Sequence, residues 1–194
     1  MADIECTVEN NIATVMLNRP AVRNAVTLAM WKDVARVFRD LGRSRDVRAI
    51  VFAGAGGNFS VGADVSEFSV VRANVQDSTD YEIAVDASSD AIAGVPQPVI
   101  AAIDGYCLGG GCHLSMACDF RFASPAAQIG IPSANLSIVY GVRSTKRLLG
   151  LVGLTAAKRI LYTAERLGAS EALRIGLVDR LNHDPRDEAR RFAA

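Results

Sequence analysis

The chain has 194 residues, half of them apolar, and its 21 lysines and arginines match its 21 aspartates and glutamates, for a formal net charge of zero. That length is enough for one sizeable core, and the charge balance argues against nucleic acid or a membrane surface as the main partner while leaving room for a local basic patch for a phosphorylated cofactor. The four cysteines include no Cys-x-x-Cys pair and only two histidines accompany them, so the pattern predicts no metal site and reduced, buried thiols.

The start, Met1-Ala2-Asp3-Ile4-Glu5, lacks the basic region and apolar run of a secretory signal, and the longest apolar stretches are far too short to span a bilayer. The expectation is a soluble, cytoplasmic chain. Two strands, Ile4–Val8 and Ile12–Leu17, flank a turn at Glu9-Asn10-Asn11, and Asn18-Arg19-Pro20 ends the second. Thr27 suits a helix N-cap; Trp31, Val34, Phe38 and Leu41 follow at helical spacing, with Gly42 as the stop.

Val47–Gly54 reads as a buried strand. A second helix is predicted over Tyr81–Ala93, with Ile83, Ala87 and Ala91 on one face. Val99–Ile103 is a near-continuous apolar run, which suits a parallel strand covered on both faces. Thr155–Thr163 and Ser170–Ile175 read as helices, Gly176 closes the second, and Leu177-Val178-Asp179 supplies a last strand. Strand, helix and strand alternate without a linker, which argues for one α/β domain over residues 1–194.

Two glycine-centred loops follow predicted buried strands: Asn58-Phe59-Ser60-Val61-Gly62-Ala63-Asp64 and Asp104-Gly105-Tyr106-Cys107-Leu108-Gly109-Gly110-Gly111-Cys112-His113. Ligands of α/β sheets gather beyond the carboxyl ends of strands. Three glycines entering a helix leave backbone amides uncovered at its positive end, where an anionic oxygen fits; they also permit a tight turn or close packing. Neither a Gly-x-x-x-x-Gly-Lys-Ser/Thr nor a Gly-x-Gly-x-x-Gly pattern is present, which disfavours a phosphate loop.

Taken together, Asn18-Arg19-Pro20 with Arg23-Asn24-Ala25, Phe59 to Val65, Gly105 to Asp119, Ala127 to Pro132 and Ala172 to Val178 resemble, in order and spacing, the motifs of the crotonase (enoyl-CoA hydratase/isomerase) superfamily. The resemblance implies a spiral of repeated ββα units with a helical C-terminal part, and an enzyme of fatty-acid type acting on acyl-CoA thioesters. Coenzyme A would enter as part of the substrate, with no permanently bound cofactor, and the assembly would be a homotrimer or hexamer. It also implies roles. The N–H groups of Ala63 and Gly110 match the two donors that hold the thioester carbonyl as an enolate forms. Arg23, Asn24 and Ala25, with Ala63, Asp64 and Val65, match the segments that hold the CoA nucleotide and pantetheine, although Asp64 equally suits a cap on the helix that follows.

The sequence departs from the hydratases of that family at two positions. Where they carry paired glutamates that add water across the double bond, this chain has His113 and Ser133. His113 either supplies a base or fills the carboxylate-sized space with local hydrogen bonds. Ser133 is a poor acid or base without an activating neighbour, yet could order a water or a substrate oxygen. Tyr140, in the segment that closes over the acyl pocket, either orients a substrate carboxylate or packs as a core aromatic. Arg143 either binds a carboxylate or reaches solvent, and Asp119 looks structural. The resemblance further implies helices beyond the region matched here that pack on a neighbouring subunit; Asp187–Ala194 reads as the start of one, so those trimerisation helices are short or missing from this chain.

Overall fold

A computed structural model describes residues 2–194. Strands β1 (Ile4–Glu9) and β2 (Ile12–Leu17) pair antiparallel across a two-residue turn. Asn10 and Asn11 both take φ near +50° to +60°, the conformation a two-residue hairpin needs and one that asparagine tolerates. From β2 onward the main sheet is parallel. β3 (Ala49–Gly54), β4 (Val99–Ile103), β6 (Phe120–Ala123) and β9 (Arg180–Leu181) follow in the order β1-β2-β3-β4-β6-β9.

Each parallel step requires a crossover, and the crossovers build a second layer. β5 (Tyr106–Leu108), β7 (Gln128–Gly130) and β8 (Arg166–Gly168) form a small sheet. Single bridges from Val26 to Ala63 and from Ser60 to Cys107 continue the same ladder toward the N-terminus. Strand, short strand and helix therefore recur, turn upon turn, as the spiral the sequence implies.

The helices are α1 (Leu28–Arg43), α2 (Phe68–Val71), α3 (Val75–Ala93), α4 (Gly110–Ser115), α5 (Val142–Thr163), α6 (Ala169–Arg174) and α7 (Pro185–Ala193). The Thr27 hydroxyl caps α1 by accepting the Met30 amide at 3.2 Å. The Glu67 carboxylate accepts the Leu28 amide at 2.5 Å, satisfying a second orphan donor from a distant loop. The periodic residues Trp31, Val34, Phe38 and Leu41 are all buried, and Phe38, Phe52 and Phe59 meet edge to face at 5.2 and 5.3 Å between centroids. On the opposite face, α7 covers Ile12, Val51, Ile100 and Phe122, and Phe192 stacks edge-on against Phe120 and Phe122. Both faces of β3 and β4 are thus buried, which is why they read as continuous apolar runs.

Several boundaries differ from the sequence reading. α1 runs through Gly42 to Arg43, and β3 begins at Ala49 rather than Val47. The second predicted helix starts at Val75, capped by Asn74, whose side-chain oxygen accepts the Asp77 amide at 2.9 Å. Its buried face carries Tyr81, Ala84, Ser88 and Ile92, while Ile83 is 60% exposed, because Tyr81 is drawn in to meet Trp31. Thr155–Thr163 is the second half of α5, which Gly153 breaks at φ +73°. The last strand is Arg180–Leu181, not Leu177–Asp179; Asp179 instead accepts the amide and guanidinium of Arg121. Asp119 is structural, its carboxylate accepting the Val99 amide at the start of β4. Among the described residues, no helix is long and apolar enough to cross a membrane.

Candidate active site

The two glycine-centred loops meet above the carboxyl ends of β3 and β4 and line one cavity, open at its mouth. The first loop is held from behind. Ser60, fully buried, donates its hydroxyl to the Asn24 carbonyl at 2.7 Å and accepts the Gly62 amide at 3.0 Å. The Val26 amide donates to the Gly62 carbonyl, and the Asp64 amide to the Val26 carbonyl, at 2.8 and 2.9 Å. The neighbours of Ala63 are bound on both sides, and the Ala63 N–H itself donates to no group among the described residues.

Gly110 opens α4, so its N–H is one of the orphan donors of a helix start and likewise meets no partner among the described residues. A β-carbon on Gly110 would stand 3.2 Å from the Ala63 nitrogen and 2.9 Å from the Trp31 ring. One on Gly62, which has φ +97°, would stand 2.9 Å from the Gly110 nitrogen. The two free amides therefore border one narrow space that only glycine at both positions leaves clear.

His113 lies beneath this space, 2% exposed. Its Nε2 is 3.3 Å from the Val85 carbonyl, and its Nδ1 meets the Ser144 hydroxyl. Burial pulls its pKa down to about 4, so the ring is neutral near pH 7. A carbonyl can only accept, so Nε2 carries the proton and Nδ1 accepts from Ser144. No lone pair of the ring is left for the cavity. Any proton His113 takes from a ligand must travel through Ser144.

Ser133 lines the cavity, and its hydroxyl makes no hydrogen bond among the described residues. The Tyr140 hydroxyl lies 3.4 Å from the Gly109 carbonyl and within hydrogen-bonding reach of the Ser144 hydroxyl, and burial holds its pKa well above the ordinary phenol value. Arg143 is not free to receive a ligand carboxylate, since it pairs with Asp86 and Asp90 on α3. Trp31, Phe68, Val85, Ile131 and Ile138 supply an apolar part of the wall, and Arg72, Glu82 and Asp86 a charged part. The Trp31 indole donates to the Tyr81 hydroxyl at 2.9 Å.

The segments matched to nucleotide binding are partly spent on structure. The Asn24 side chain, fully buried, donates to the carbonyls of Ala55 and Asn58 and accepts the Arg19 amide. Asp64 accepts the Ser66 amide and hydroxyl, capping the turn that follows, and pairs with Arg19 at 2.8 Å. The Ser66 and Arg19 bonds hold its carboxyl below the ordinary range. Ala25 is buried, whereas Arg23 and Val65 are exposed. Arg23 lies over the Tyr106 ring at 5.2 Å, and Arg166 lies over the same ring at 5.7 Å. Neither arginine has an ion-pair partner among the described residues. The sequence reading missed Arg166 and Ser144, because each acquires its neighbour across a long separation in the chain.

The sequence profile described as enoyl-CoA hydratase/isomerase matches residues 7–191. The chain is 37% identical over 174 residues to a short-chain-enoyl-CoA hydratase of Clostridium acetobutylicum, covering 89% of this chain and 66% of that protein. Over 177 residues it is 37% identical to a crotonyl-CoA hydratase of Syntrophomonas wolfei, again covering 89% and 66%. Among solved structures, an enoyl-CoA hydratase/carnithine racemase from Magnetospirillum magneticum superposes with a TM-score of 0.95 at 35% identity, covering 100% of this chain and 73% of that one. An enoyl-CoA hydratase from Bacillus anthracis gives 0.93 at 32%, covering 99% and 75%. The chain thus spans about two thirds of the length of these curated relatives.

Proposed function

The chain belongs to the enoyl-CoA hydratase/isomerase family, and we propose that it is an enzyme that binds an acyl-CoA thioester with its carbonyl oxygen between the Ala63 and Gly110 amides. The observation that carries this reading is the pair of main-chain donors left unbonded beside one space. Such donors strengthen as negative charge develops on the thioester oxygen, so they favour an enolate over the ground state. The apolar wall from Trp31 to Ile138 takes the acyl chain, and the unpaired guanidinium groups of Arg23 and Arg166 offer charge to the CoA phosphates.

The usual paired glutamates are replaced by His113 and Ser133, so we do not assign water addition as the preferred reaction. Enolate chemistry needing a single proton-transfer group, such as isomerisation or decarboxylation, fits better, and hydrolysis of the thioester is a further route. The engagement of both His113 nitrogens supports a second reading, a non-catalytic acyl-CoA-binding or assembly paralogue. A panel of acyl-CoA thioesters assayed for hydration, isomerisation, decarboxylation and hydrolysis separates the two. Turnover in any assay supports the enzyme, binding without turnover supports the paralogue, and absence of binding removes both.

A further inference from the structure

One side of the cavity is a seam between two helices, with Val85 and Asp86 contributed by α3 and Gly141 and Ser144 by the start of α5. Along this seam Asp86 and Asp90 of α3 meet Arg143 and Arg147 of α5. Each like pair is four residues apart and so lies on one face of its helix. Arg143 pairs with Asp86 at 3.1 Å and also with Asp90, while Arg147 pairs with Asp90 at 3.2 Å and donates to the Ser89 hydroxyl at 3.0 Å. Asp90 therefore holds both arginines. The other charges on the wall, Arg72 and Glu82, pair with each other at 3.1 Å and take no part in the seam.

Little apolar packing closes the seam. Four of the 22 residues of α5 are buried, and those in its first half are Ser144 and Leu148. On α3 the buried residues include Ser88 and Ser89, whose hydroxyls donate to carbonyls of their own helix. Small hydroxyl side chains bury little apolar area, so they hold two helices together weakly. The first half of α5 also lies between two glycines. Gly141 is its N-cap, and at Gly153 φ is +73° and an added β-carbon would meet nothing within 4 Å. Such positions absorb the backbone change of a hinge.

We propose that Asp90 sets the acyl-chain length this protein accepts: by holding Arg143 and Arg147 it keeps the α3–α5 seam shut, so the cavity takes short acyl chains and refuses long ones. This rests on the acyl-CoA reading above. Asp90 touches no ligand and is a positioning residue that acts through α5. With the seam open, a long chain continues between the two helices and buries its further methylenes there.

The test is calorimetric binding of butyryl-CoA and decanoyl-CoA to the wild type and to Asp90→Asn, at low and at high salt. A buried methylene strengthens binding about fourfold. The wild type at low salt is expected to bind the two thioesters with a ratio of about one, because the added methylenes find no place. In Asp90→Asn, decanoyl-CoA binds at least tenfold more tightly than butyryl-CoA at either salt. High salt screens half-exposed ion pairs, so it moves the wild-type ratio toward that of the variant; both ligands carry the same CoA, so screening of its phosphates cancels in the ratio. A merely loosened fold weakens both thioesters alike, whereas Asp90→Glu, which keeps the charge, restores the low ratio. If Asp90→Asn does not fold, Arg147→Gln gives the second reading, with the same rise in ratio expected. A wild type that already prefers decanoyl-CoA tenfold overturns the inference but leaves the acyl-CoA reading standing, as does a folded Asp90→Asn with the wild-type ratio. Binding of both thioesters no tighter than free CoA defeats the acyl-pocket reading itself, and the inference with it.

Discussion

A β-carbon on Gly110 would stand 3.2 Å from the Ala63 amide nitrogen, so the free N–H groups of two loops far apart in sequence border one space only because residue 110 has no side chain. Gly110→Ala would also press against the Trp31 ring, at 2.9 Å. The expected outcome is a fall in kcat of about 10²–10³-fold on whichever thioester the protein turns over, the usual cost of one lost oxyanion donor. Stopped-time product assays with a melting curve on the same sample check it. A folded Gly110→Ala variant with wild-type kcat would remove the amide pair from the mechanism.

Water addition should be slow. His113 reaches a ligand only through Ser144, and the Ser133 hydroxyl makes no hydrogen bond among the described residues that would make it an acid. General acid–base help is typically worth about 10²–10⁴-fold. Crotonyl-CoA hydration is therefore expected to be weak in the wild type and to rise in the double variant His113→Glu, Ser133→Glu, followed at the absorbance of the enoyl thioester. Wild-type hydration at ordinary enzymatic rates contradicts this, as does a folded, CoA-binding double variant that gains nothing.

Acid should destabilise the fold before most carboxylates titrate. Burial lowers the His113 pKa to about 4, while an unfolded histidine titrates near 6.5. Between these values the unfolded chain binds the extra proton, so stability rises with pH and is lost as pH falls through this window. Glu171, held down to about 2 by Arg174 and Arg159, is among the groups that lose their contribution only at lower pH. From pH 6.5 to pH 5 the His113 contribution falls by roughly 1–2 kcal/mol. Urea denaturation at the two pH values should show that difference in the wild type and a much smaller one in His113→Gln. Equal slopes in both proteins would mean that the ring is not buried neutral.

Tyr81→Phe tests the wall of the cavity. Trp31 and Tyr81 are 1% and 2% exposed, and the Trp31 indole N–H has the Tyr81 hydroxyl as its partner. Removing that oxygen leaves a buried donor unsatisfied, at a cost of about 1–3 kcal/mol. Chemical denaturation reads it directly, and a neutral result would show that the indole finds another acceptor.

The trimer expectation rests on family resemblance. Light scattering should report a mass that is three or six times 20.6 kDa. A single monodisperse species of 20.6 kDa would show that this chain does not make the assembly by itself.

Much of the fold was legible in the residues because local rules and burial agreed. The Asn10-Asn11 turn, the Thr27 cap and the continuous apolar runs of β3 and β4 each carry their reason within a few residues. Where the reading slipped, a distant partner had overruled the local pattern. Tyr81 rotates α3 inward to reach Trp31, 50 residues away, so Ile83 faces outward instead. Asp179 leaves the predicted strand to bind Arg121, 58 residues away.

The candidate site divides along the same line. Glycines at 62, 110 and 111 can be read as points of close backbone approach, and the spacing of these loops carried the family resemblance, because a missing side chain has the same consequence wherever the chain goes. What His113 does could not be read that way. A histidine's role depends on which nitrogen holds the proton, and here Val85 and Ser144, 28 and 31 residues away, decide it. The glycine spacing, through the family resemblance, pointed to Ala63 and Gly110 as the main-chain donors. Only the tertiary structure decided where the protons of His113, Ser144 and Tyr140 point, because hydrogen-bond direction is set by the acceptor packed against each group and not by the group itself.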